Sequence, residues 1–310
     1  MSNQIKAEAK RLGFYACGIA RAEPVENESV REFKEWINKG GHAGMQYLEH
    51  HEDLRFDPRL LVPGTKSIVC VALNYSPHKH VKGFADYAIG RDYHDIVKQK
   101  LHELATYIYG VGNQSTRYRA FSDSAPILER YWAQRAGIGF VGRNHLLIIP
   151  GMGSRFFLGE LFVDVELSYD SPLRQHCGSC RRCLDACPMH ALSADGFHAD
   201  RCLSYLTIEN RDEIPTKAAE RMGETFYGCD RCQQVCPWNE KAVPTDEPQL
   251  QPTEELLEMT DDDWLTLTEE RYRRLFKCSA VKRAKYSGLM RNIKAALGNH
   301  NRRRTDEQTE

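Results

Sequence analysis

Eight of the eleven cysteines lie between residues 177 and 236, in two groups whose spacing is typical of iron–sulfur ligands. The first group reads CGSCRRCLDACP, which is a C-x2-C-x2-C-x3-C-P run. Bacterial ferredoxins hold [4Fe–4S] clusters with such runs, because each tight C-x2-C turn directs neighbouring thiolates at one cluster. The second group begins with a single cysteine and continues as CDRCQQVCP. The spacing therefore predicts two [4Fe–4S] clusters in one ferredoxin-like segment.

The last cysteine of each run is expected to reach the other cluster, as it does in two-cluster ferredoxins. The ligands predicted for the first cluster are Cys177, Cys180, Cys183 and Cys236. The ligands predicted for the second cluster are Cys187, Cys202, Cys229 and Cys232. Two zinc sites would accept the C-x2-C pairs but would leave the third cysteine and the following prolines unexplained. Disulfides are disfavoured because the N-terminus lacks the apolar region of a secretory signal.

Outside the cysteines, the most distinctive stretch is FSDSAPILERYWAQRAGIGFVGRN. On local grounds Asp123, just before a proline that can start a helix, is interpreted as a turn or helix cap. The glycines at 137, 139 and 142 lack the strand–GxGxxG–helix order of a dinucleotide site. The segment DYHDIV has valine where a cobalamin-ligating D-x-H-x-x-G motif has glycine. His94 is therefore interpreted as a packed or surface histidine rather than a cobalt ligand.

The elements that must position these residues form an alternating strand and helix pattern over residues 1–170. FYACGIA and SIVCVALNY have the character of buried strands, with helices between them that break at Gly40. A helix is predicted over 92–109, and another begins at Pro126 and ends before Gly137. LLIIP and RFFLGELFVDV are predicted to form a hairpin. Further on, Thr260 is predicted to cap a helix, with an aspartate at the third helical position.

Composition is that of an ordinary globular protein, with 41% hydrophobic and 27% charged residues in 310. Charge is segregated near the end: residues 240–270 hold 11 Asp and Glu against one Lys, and residues 271–310 hold 12 Lys and Arg against three acidic residues. The basic stretch is either a solvated helix face or a surface for a phosphate backbone. No apolar run approaches the ~18 residues of a membrane span. We expect a cytoplasmic protein without membrane contact.

Together these landmarks resemble the epoxyqueuosine reductases along nearly the whole chain. The matching pieces are LRFDPRLLVPGTKSIV, GRDYHDIVKQKL, DSAPILERYWAQRAGIGFVGRN, CGSCRRCLDACP, RCLSYLT and YGCDRCQQVCP. The resemblance implies a cobalamin-dependent oxidoreductase with two [4Fe–4S] clusters that acts on tRNA. It would remove the epoxide oxygen of epoxyqueuosine at the wobble position of the anticodon and so give queuosine.

The fold class implied is α+β. A nitroreductase-like α/β domain that binds cobalamin is expected over residues 1–170, followed by a ferredoxin-like two-cluster domain over residues 171–245. A short helical region with the basic tail is expected over residues 246–310. The tail is then expected to contact tRNA without the helical repeats that some family members carry.

The resemblance also implies roles for individual residues. Asp123 matches the proposed proton donor, which replaces its interpretation as a turn or helix cap. To donate a proton, Asp123 would need a partly desolvated pocket that raises its pKa. The residues that match positions lining the cobalamin are Arg55, Ala85, Asp123, Leu147, Leu158, Ser204, Cys229, Asp230, Arg231 and Cys232. The residues that resemble the tRNA-contacting tail are Ser279, Lys282, Arg283, Lys285, Arg291 and Asn292.

The expected partners are tRNA carrying epoxyqueuosine and an external low-potential electron donor of the flavodoxin or ferredoxin type. The chain is expected to act as a monomer. One alternative is a reductive dehalogenase-like enzyme with the same cofactors, which a twin-arginine leader would favour and the basic tail disfavours. Another alternative is a two-cluster electron-transfer protein. Such a carrier would contain no corrinoid, so cobalamin content separates it from both enzymes.

Overall fold

A computed structural model of the chain describes residues 1–112, 117–193 and 195–307. Its central feature is a four-stranded antiparallel sheet in which β2 and β6 occupy the middle, in the order β1-β2-β6-β3. The strands of the described residues are β1 (Ala16–Arg21), β2 (Ser67–Asn74), β3 (Tyr118–Phe121), β4 (Phe140–Val141), β5 (Leu147–Ile148), β6 (Phe156–Val163), β7 (Leu192–Ser193) and β8 (Gly196–Phe197). β4 pairs with β5, and β7 with β8.

Helices cover both faces of this sheet and form most of the second half of the chain. The helices of the described residues are α1 (Ser2–Arg11), α2 (Asn27–Asn38), α3 (Glu52–Phe56), α4 (Pro58–Leu61), α5 (Tyr93–Gly112), α6 (Glu129–Arg135), α7 (Arg182–Asp185), α8 (Leu203–Ile208), α9 (Thr216–Arg221), α10 (Arg231–Gln234), α11 (Glu254–Glu258), α12 (Asp261–Leu265), α13 (Glu269–Leu275) and α14 (Lys285–Glu307). Within the described residues, no helix is both long and apolar enough to span a membrane.

The two faces of β6 have different neighbours, because side chains alternate along a strand. Phe157 and Leu161 belong to the core formed with α1 and α5. Phe162 and, more peripherally, Leu158 belong to the core formed with α6, which includes Trp132. Glu160 has the same parity as Leu158 and Phe162 and therefore points to the α6 side of the sheet.

Most of the elements predicted for residues 1–170 are confirmed. β1 and β2 lie in the two apolar stretches, α5 begins at Tyr93, and Gly137 follows α6 with a φ of +70°. The predicted start at Pro126 is wrong, because α6 begins at Glu129. The predicted hairpin is also wrong. β6 is buried along nearly its whole length and pairs with β2 and β3. The stretch LLIIP instead contributes β5, which pairs with β4, and Ile149 forms an isolated bridge to Gly153, before β6 begins.

The cluster segment and the C-terminal helices share one hydrophobic core. It joins Phe84 from the first half, Phe226 from the cluster segment, and Trp264 and Leu289 from the C-terminal helices. The predicted boundary at residue 246 therefore does not separate two cores. The capping box at the start of α12 is confirmed, since Thr260 and Asp263 bond reciprocally to each other's backbone.

Candidate active site and cluster segment

The four cysteines predicted for the first cluster line one pocket of the structure. They are Cys177, Cys180, Cys183 and Cys236. Trp238, Arg143 and Arg182 share that pocket, and the Arg143 backbone N–H lies 3.4 Å from the Cys177 sulfur. Such N–H groups aimed at sulfur tune the potential of iron–sulfur clusters.

The four cysteines predicted for the second cluster are electrostatic neighbours of one another. Burial raises the pKa of Cys232, and the thiols of Cys229 and Cys202 raise it further. The Cys187 thiol likewise raises the pKa of Cys202. Burial raises the pKa of Cys229 to about 11. A thiolate there needs a positive partner, which iron provides.

The two groups of thiols adjoin each other, because Cys183 of the first group also raises the pKa of Cys232 in the second. Electrons can therefore pass between two clusters held at these positions. Within the described residues, no three Cys, His, Asp or Glu side chains are gathered closely enough for a single metal ion. A four-iron cluster does not need that arrangement, since each thiolate binds a different iron atom.

Asp123 lies on the loop between β3 and α6, with a left-handed φ of +57°. The Tyr93 hydroxyl donates a hydrogen bond of 2.5 Å to its carboxylate, and His94 Nε2 lies 3.5 Å from the same oxygen. The other ring nitrogen of His94 is 2.7 Å from Asp92. The first turn of α5 thus presents a phenol and an imidazole to one carboxylate. The interpretation of Asp123 as a cap is not borne out, because its carboxylate bonds to these side chains.

The electrostatics of this group reverse the predicted pKa shift of Asp123. Burial opposes its charge, but the bonds from His94 and Tyr93 and the nearby charge of Arg130 outweigh burial, so the pKa of Asp123 is lowered. Burial likewise opposes a charged His94, but bonds to Asp123 and Asp92 outweigh it and raise the pKa of His94 to about 9. At neutral pH the proton of the pair therefore resides on His94. The prediction of a raised Asp123 pKa is wrong.

The Asp123 side chain is 59% exposed, yet burial is the largest single influence on its pKa. This combination indicates that Asp123 lies on a concave part of the surface, which we call the cleft. Burial raises the pKa of Tyr47, and charges of Glu209, Arg283, Asp123 and Arg55 all act on its hydroxyl. Tyr47 itself is half exposed. These side chains therefore surround one space.

Several of the residues predicted to line cobalamin adjoin this cleft or the second group of thiols. Arg55 is 5% exposed, bonds to the carbonyls of Tyr47 and His50, and leaves its Nε without a partner within the described residues. The carbonyl of Leu158 accepts a hydrogen bond from Ser122, beside Asp123. Leu147 is buried in β5. The concave surface at Asp123 and the buried, unpartnered guanidinium nitrogen of Arg55 fit a large polar cofactor.

The remaining cofactor-lining predictions fall around the second group of thiols. The Ser204 backbone N–H points at the Cys202 sulfur. Ala85 bonds to the carbonyl of Tyr227, two residues before Cys229. Asp230 and Arg231 use their side chains internally: Asp230 accepts from the Asp86 backbone N–H at 2.7 Å, and Arg231 donates to the carbonyls of residues 221 and 222. For these two residues only the backbone remains to face a cofactor.

The residues predicted to contact tRNA divide into an exposed and a buried set. Lys282, Arg283 and Lys285 are exposed. The Arg283 guanidinium bonds to Glu209 at 2.8 Å and lies over the Tyr47 ring, 5.8 Å from its centroid. The exposed set therefore begins at the mouth of the cleft.

The buried set stabilises the fold. Asn292 is fully buried, and its side-chain amide donates to the carbonyls of Thr207 and Phe226. Ser279 is 6% exposed and bonds to Ala88. Arg291 donates to carbonyls of residues 206, 210 and 212. Direct contact with tRNA does not fit the burial of Asn292 and Ser279, because their polar atoms are used inside the protein.

Comparison with known proteins agrees with this geometry. Residues 55–124 match a family model described as epoxyqueuosine reductase QueG, DUF1730, and residues 176–239 match a 4Fe-4S double cluster binding domain. An epoxyqueuosine reductase of Cellulophaga algicola is 42% identical, over 94% of this chain and 96% of its own length. The chain belongs to the epoxyqueuosine reductase family. A second epoxyqueuosine reductase, from Leadbetterella byssophila, is 43% identical over 94% of this chain and 97% of its own.

Solved structures of epoxyqueuosine reductases have the same fold. A crystal structure with an epoxyqueuosine-modified tRNA-Tyr stem loop has a TM-score of 0.87 at 28% identity, covering 96% of this chain and 81% of that chain. A Bacillus subtilis structure has a TM-score of 0.88 at 28% identity with the same coverage, and its aspartate catalytic loop is swung out of the active site. The segment from 176 to 239 thus belongs to a domain that binds two [4Fe–4S] clusters.

Sequence reasoning missed two groups of residues around Asp123. Tyr93 and His94 lie about thirty positions earlier in the chain, and the failed D-x-H-x-x-G comparison drew attention away from them. Glu129 was considered only as a helix position next to Arg130, and Glu160 was not singled out at all. A charged residue inside the apolar strand FFLGELFV was the available signal for Glu160, because charged residues are rarely fully buried unless they are paired.

Proposed function

We propose that this chain reduces the epoxide of epoxyqueuosine in tRNA, giving queuosine. The observation that carries the proposal is the Asp123–Tyr93–His94 group, in a chain that also holds eight cysteines with two-cluster spacing. The family resemblance supports the same reaction, and a relative of this fold binds an epoxyqueuosine-modified stem loop.

The reaction removes the epoxide oxygen as water and consumes two electrons and two protons. No side chain supplies the electrons, so a cofactor must do so. Cobalamin, held beside Arg55, Leu158 and the Cys229–Cys232 turn, would provide the reducing centre, and the two clusters would deliver single electrons to it. The chain's own residues then have to bind the substrate, exclude water and supply protons.

Proton supply is the role we assign to the group around Asp123. His94 carries a proton at neutral pH, because the pKa of His94 is raised to about 9. Asp123 bonds to His94 and to the Tyr93 hydroxyl on one side, and its carboxylate is open to the cleft on the other. Asp123 can therefore pass a proton from His94 to the departing oxygen. Such general acid catalysis commonly contributes ~10²–10⁴-fold.

The experiment that tests the function is anaerobic reconstitution with iron, sulfide and cobalamin, followed by assay on epoxyqueuosine-containing tRNA. We expect the modified nucleoside to lose one oxygen atom only when all three components and a low-potential reductant are present. Failure to bind corrinoid would favour the electron-transfer protein. Binding of corrinoid with activity on organohalides but not on this tRNA would favour the dehalogenase-like enzyme.

The electron donor would approach the first group of cysteines. Arg143 and Arg182 share the pocket of that group, and the side chains of Arg181 and Arg182 are 68% and 62% exposed. Exposed basic side chains beside a redox centre attract an acidic partner and speed its association. An acidic one-electron carrier of the flavodoxin or ferredoxin type fits this face.

The exposed basic residues at the mouth of the cleft would contact the tRNA backbone. We expect the double variant Lys282→Glu with Lys285→Glu to bind tRNA more weakly than the unaltered chain. Its affinity for tRNA should also depend less on the salt concentration. The slope of log affinity against log salt should fall by about one for each lysine–phosphate pair that the variant removes. Equilibrium binding at several salt concentrations measures both quantities.

Lys10→Glu on α1 is the matched control, since it reverses one exposed charge on another part of the surface. Equal affinities and slopes in the double variant, the control and the unaltered chain would remove this surface from tRNA recognition. Arg283 is left unchanged, because reversing its charge would also disrupt its ion pair with Glu209.

A further inference from the structure

Glu160 is a fully buried acid in the middle of β6. It lies opposite Cys70 of β2 and Phe121 of β3 and points to the α6 side of the sheet. Within the described residues, no N–H group and no hydroxyl group donates a hydrogen bond to either of its carboxyl oxygens, which leaves only another carboxyl group as a partner. An unpaired carboxylate in such a place is costly, so the group must be neutral or must have an unusual neighbour.

That neighbour is a second acid, Glu129, the first residue of α6. Two carboxyl groups can form a hydrogen bond only when a proton lies between them, and the Glu129 and Glu160 side chains are in hydrogen-bonding contact. Burial and then the charge of Glu129 raise the pKa of Glu160 well above its ordinary value. Burial and then the charge of Asp123 raise the pKa of Glu129 to about 7. The pair therefore holds at least one proton at neutral pH.

The other charged and titratable groups that act on this pair are few. Asp123 raises the pKa of both acids, and Arg130 lowers the pKa of Glu129. Across the sheet, Glu160 raises the pKa of the Cys70 thiol. Burial keeps the Cys70 thiol neutral, because it raises the pKa of Cys70 well above its ordinary value. Arg130 is the only cation among these groups within the described residues, and its guanidinium is already bonded to the carbonyl of His145.

Glu129 also contacts the catalytic loop directly. The backbone N–H of Asp123 donates a hydrogen bond to Glu129 Oε1. Asp123 adopts a left-handed φ of +57°, a conformation uncommon for residues other than glycine but more frequent for aspartate than for most. The Glu129 carboxyl is thus one of the groups that hold Asp123 in place.

We propose that Glu160 holds a proton against Glu129 and thereby fixes the Glu129 carboxyl where it accepts the N–H of Asp123. Both acids are then positioning residues, and their effect on catalysis rests on the proposed role of Asp123. Loss of the shared proton leaves two buried carboxylates beside the Asp123 carboxylate. Their repulsion weakens the contact by which Glu129 holds Asp123.

The variant Glu160→Gln tests the proposal, because its amide donates to Glu129 at every pH. We expect Glu160→Gln to keep turnover at neutral pH and to lose the decline that the unaltered enzyme undergoes as the pair ionises. The alkaline midpoint of kcat should rise in Glu160→Gln, towards the limit set by His94, whose pKa is about 9. The measurement is the pH profile of single-turnover reduction by reconstituted holoenzyme.

A second variant, Glu160→Leu, removes both the charge and the proton. We expect kcat to fall at all pH values with KM for tRNA unchanged, because Glu129 loses its partner while the substrate surface is untouched. Restoration of kcat in Glu160→Gln but not in Glu160→Leu supports a positioning role. Equal pH profiles for the unaltered enzyme and Glu160→Gln would overturn it.

Thermal stability provides a readout that does not depend on activity. A carboxyl whose folded-state pKa is raised destabilises the fold as pH rises above its ordinary value of about 4.3. The Tm advantage of Glu160→Gln over the unaltered chain should therefore grow from pH 5 through and beyond pH 7. A difference in Tm that stays constant with pH would contradict a proton shared by Glu160 and Glu129. If no preparation reduces the tRNA, the proposed function and the positioning role fail together. The Tm comparison still shows whether Glu160 holds a proton in the folded protein.

Discussion

Replacing Asp123 by asparagine should lower the single-turnover rate of epoxide reduction by about 10²–10⁴-fold. Asparagine has nearly the same shape and can still accept the Tyr93 hydroxyl hydrogen bond. It cannot carry a proton from His94 to the departing oxygen. Cobalamin and both clusters should remain bound, because asparagine keeps the shape of Asp123 and, within the described residues, the Asp123 carboxylate bonds to Tyr93 and His94 rather than to a cluster cysteine. Rapid quenching of pre-reduced enzyme with epoxyqueuosine-containing tRNA measures the rate.

The same variant changes a quantity that can be measured without substrate. Burial lowers the pKa of His94, and its bonds to Asp123 and Asp92 raise it to about 9. Without the Asp123 carboxylate the pKa of His94 should fall, which an NMR titration of the imidazole detects. Asp92→Asn is the matched control, since it removes the other carboxylate bonded to His94 and leaves Asp123 in place. Unchanged turnover in Asp123→Asn would remove Asp123 from the mechanism.

The pKa of Asp123 shifts in the opposite direction to the one that the sequence interpretation required. A desolvated aspartate was expected to keep its own proton. Instead Tyr93 and His94 come from the start of a helix about thirty residues away and stabilise the charged form. Local sequence could not reveal this, because the contact depends on how α5 crosses the loop after β3. At neutral pH the proton is therefore on His94, and in the proposed mechanism Asp123 would pass it on.

Elements with strong local signals were predictable, and long-range pairings were not. β2 has eight consecutive buried residues, and its apolar run was recognised directly. The Thr260 capping box and the glycine after α6 depend on neighbouring residues, so they too could be read from sequence. The partner of β6 could not, because β2 lies about ninety positions away, and a nearby apolar stretch suggested a hairpin that does not form. The C-terminal helices were recognised, but their shared core with the cluster segment depends on packing that no local pattern encodes.

The C-terminal tail illustrates the same limit at the level of single residues. The resemblance supplied six candidate tRNA contacts, but resemblance does not separate a residue that touches a ligand from one that holds its neighbours. The structure separates them by burial. Asn292 bonds to the carbonyls of Thr207 and Phe226 and so secures α14 against the cluster segment. Lys282 and Lys285 remain exposed at the surface. Replacing Asn292 should therefore act first on stability.

The crossed assignment of cluster ligands makes a prediction as large as that for Asp123. Cys177 and Cys236 line one pocket although 58 residues separate them, whereas Cys187 is an electrostatic neighbour of Cys202. We expect the double variant Cys177→Ser with Cys236→Ser to lose one cluster and to keep the other with its native spectrum. The iron content should fall from about eight to about four per chain. Turnover driven by an external donor should be abolished, because the path through the first cluster is broken.

The double variant Cys177→Ser with Cys187→Ser removes the same number of cysteines but one ligand from each cluster. No cluster should then retain its native spectrum, as measured by EPR of the reduced protein and by Mössbauer spectroscopy. Cys278→Ser is the control, since this exposed cysteine lies outside both groups. If each run held its own cluster, Cys177 and Cys187 would share one cluster, and the results of the two double variants would be exchanged. The comparison therefore distinguishes the two arrangements even where a single serine replacement still supports a cluster.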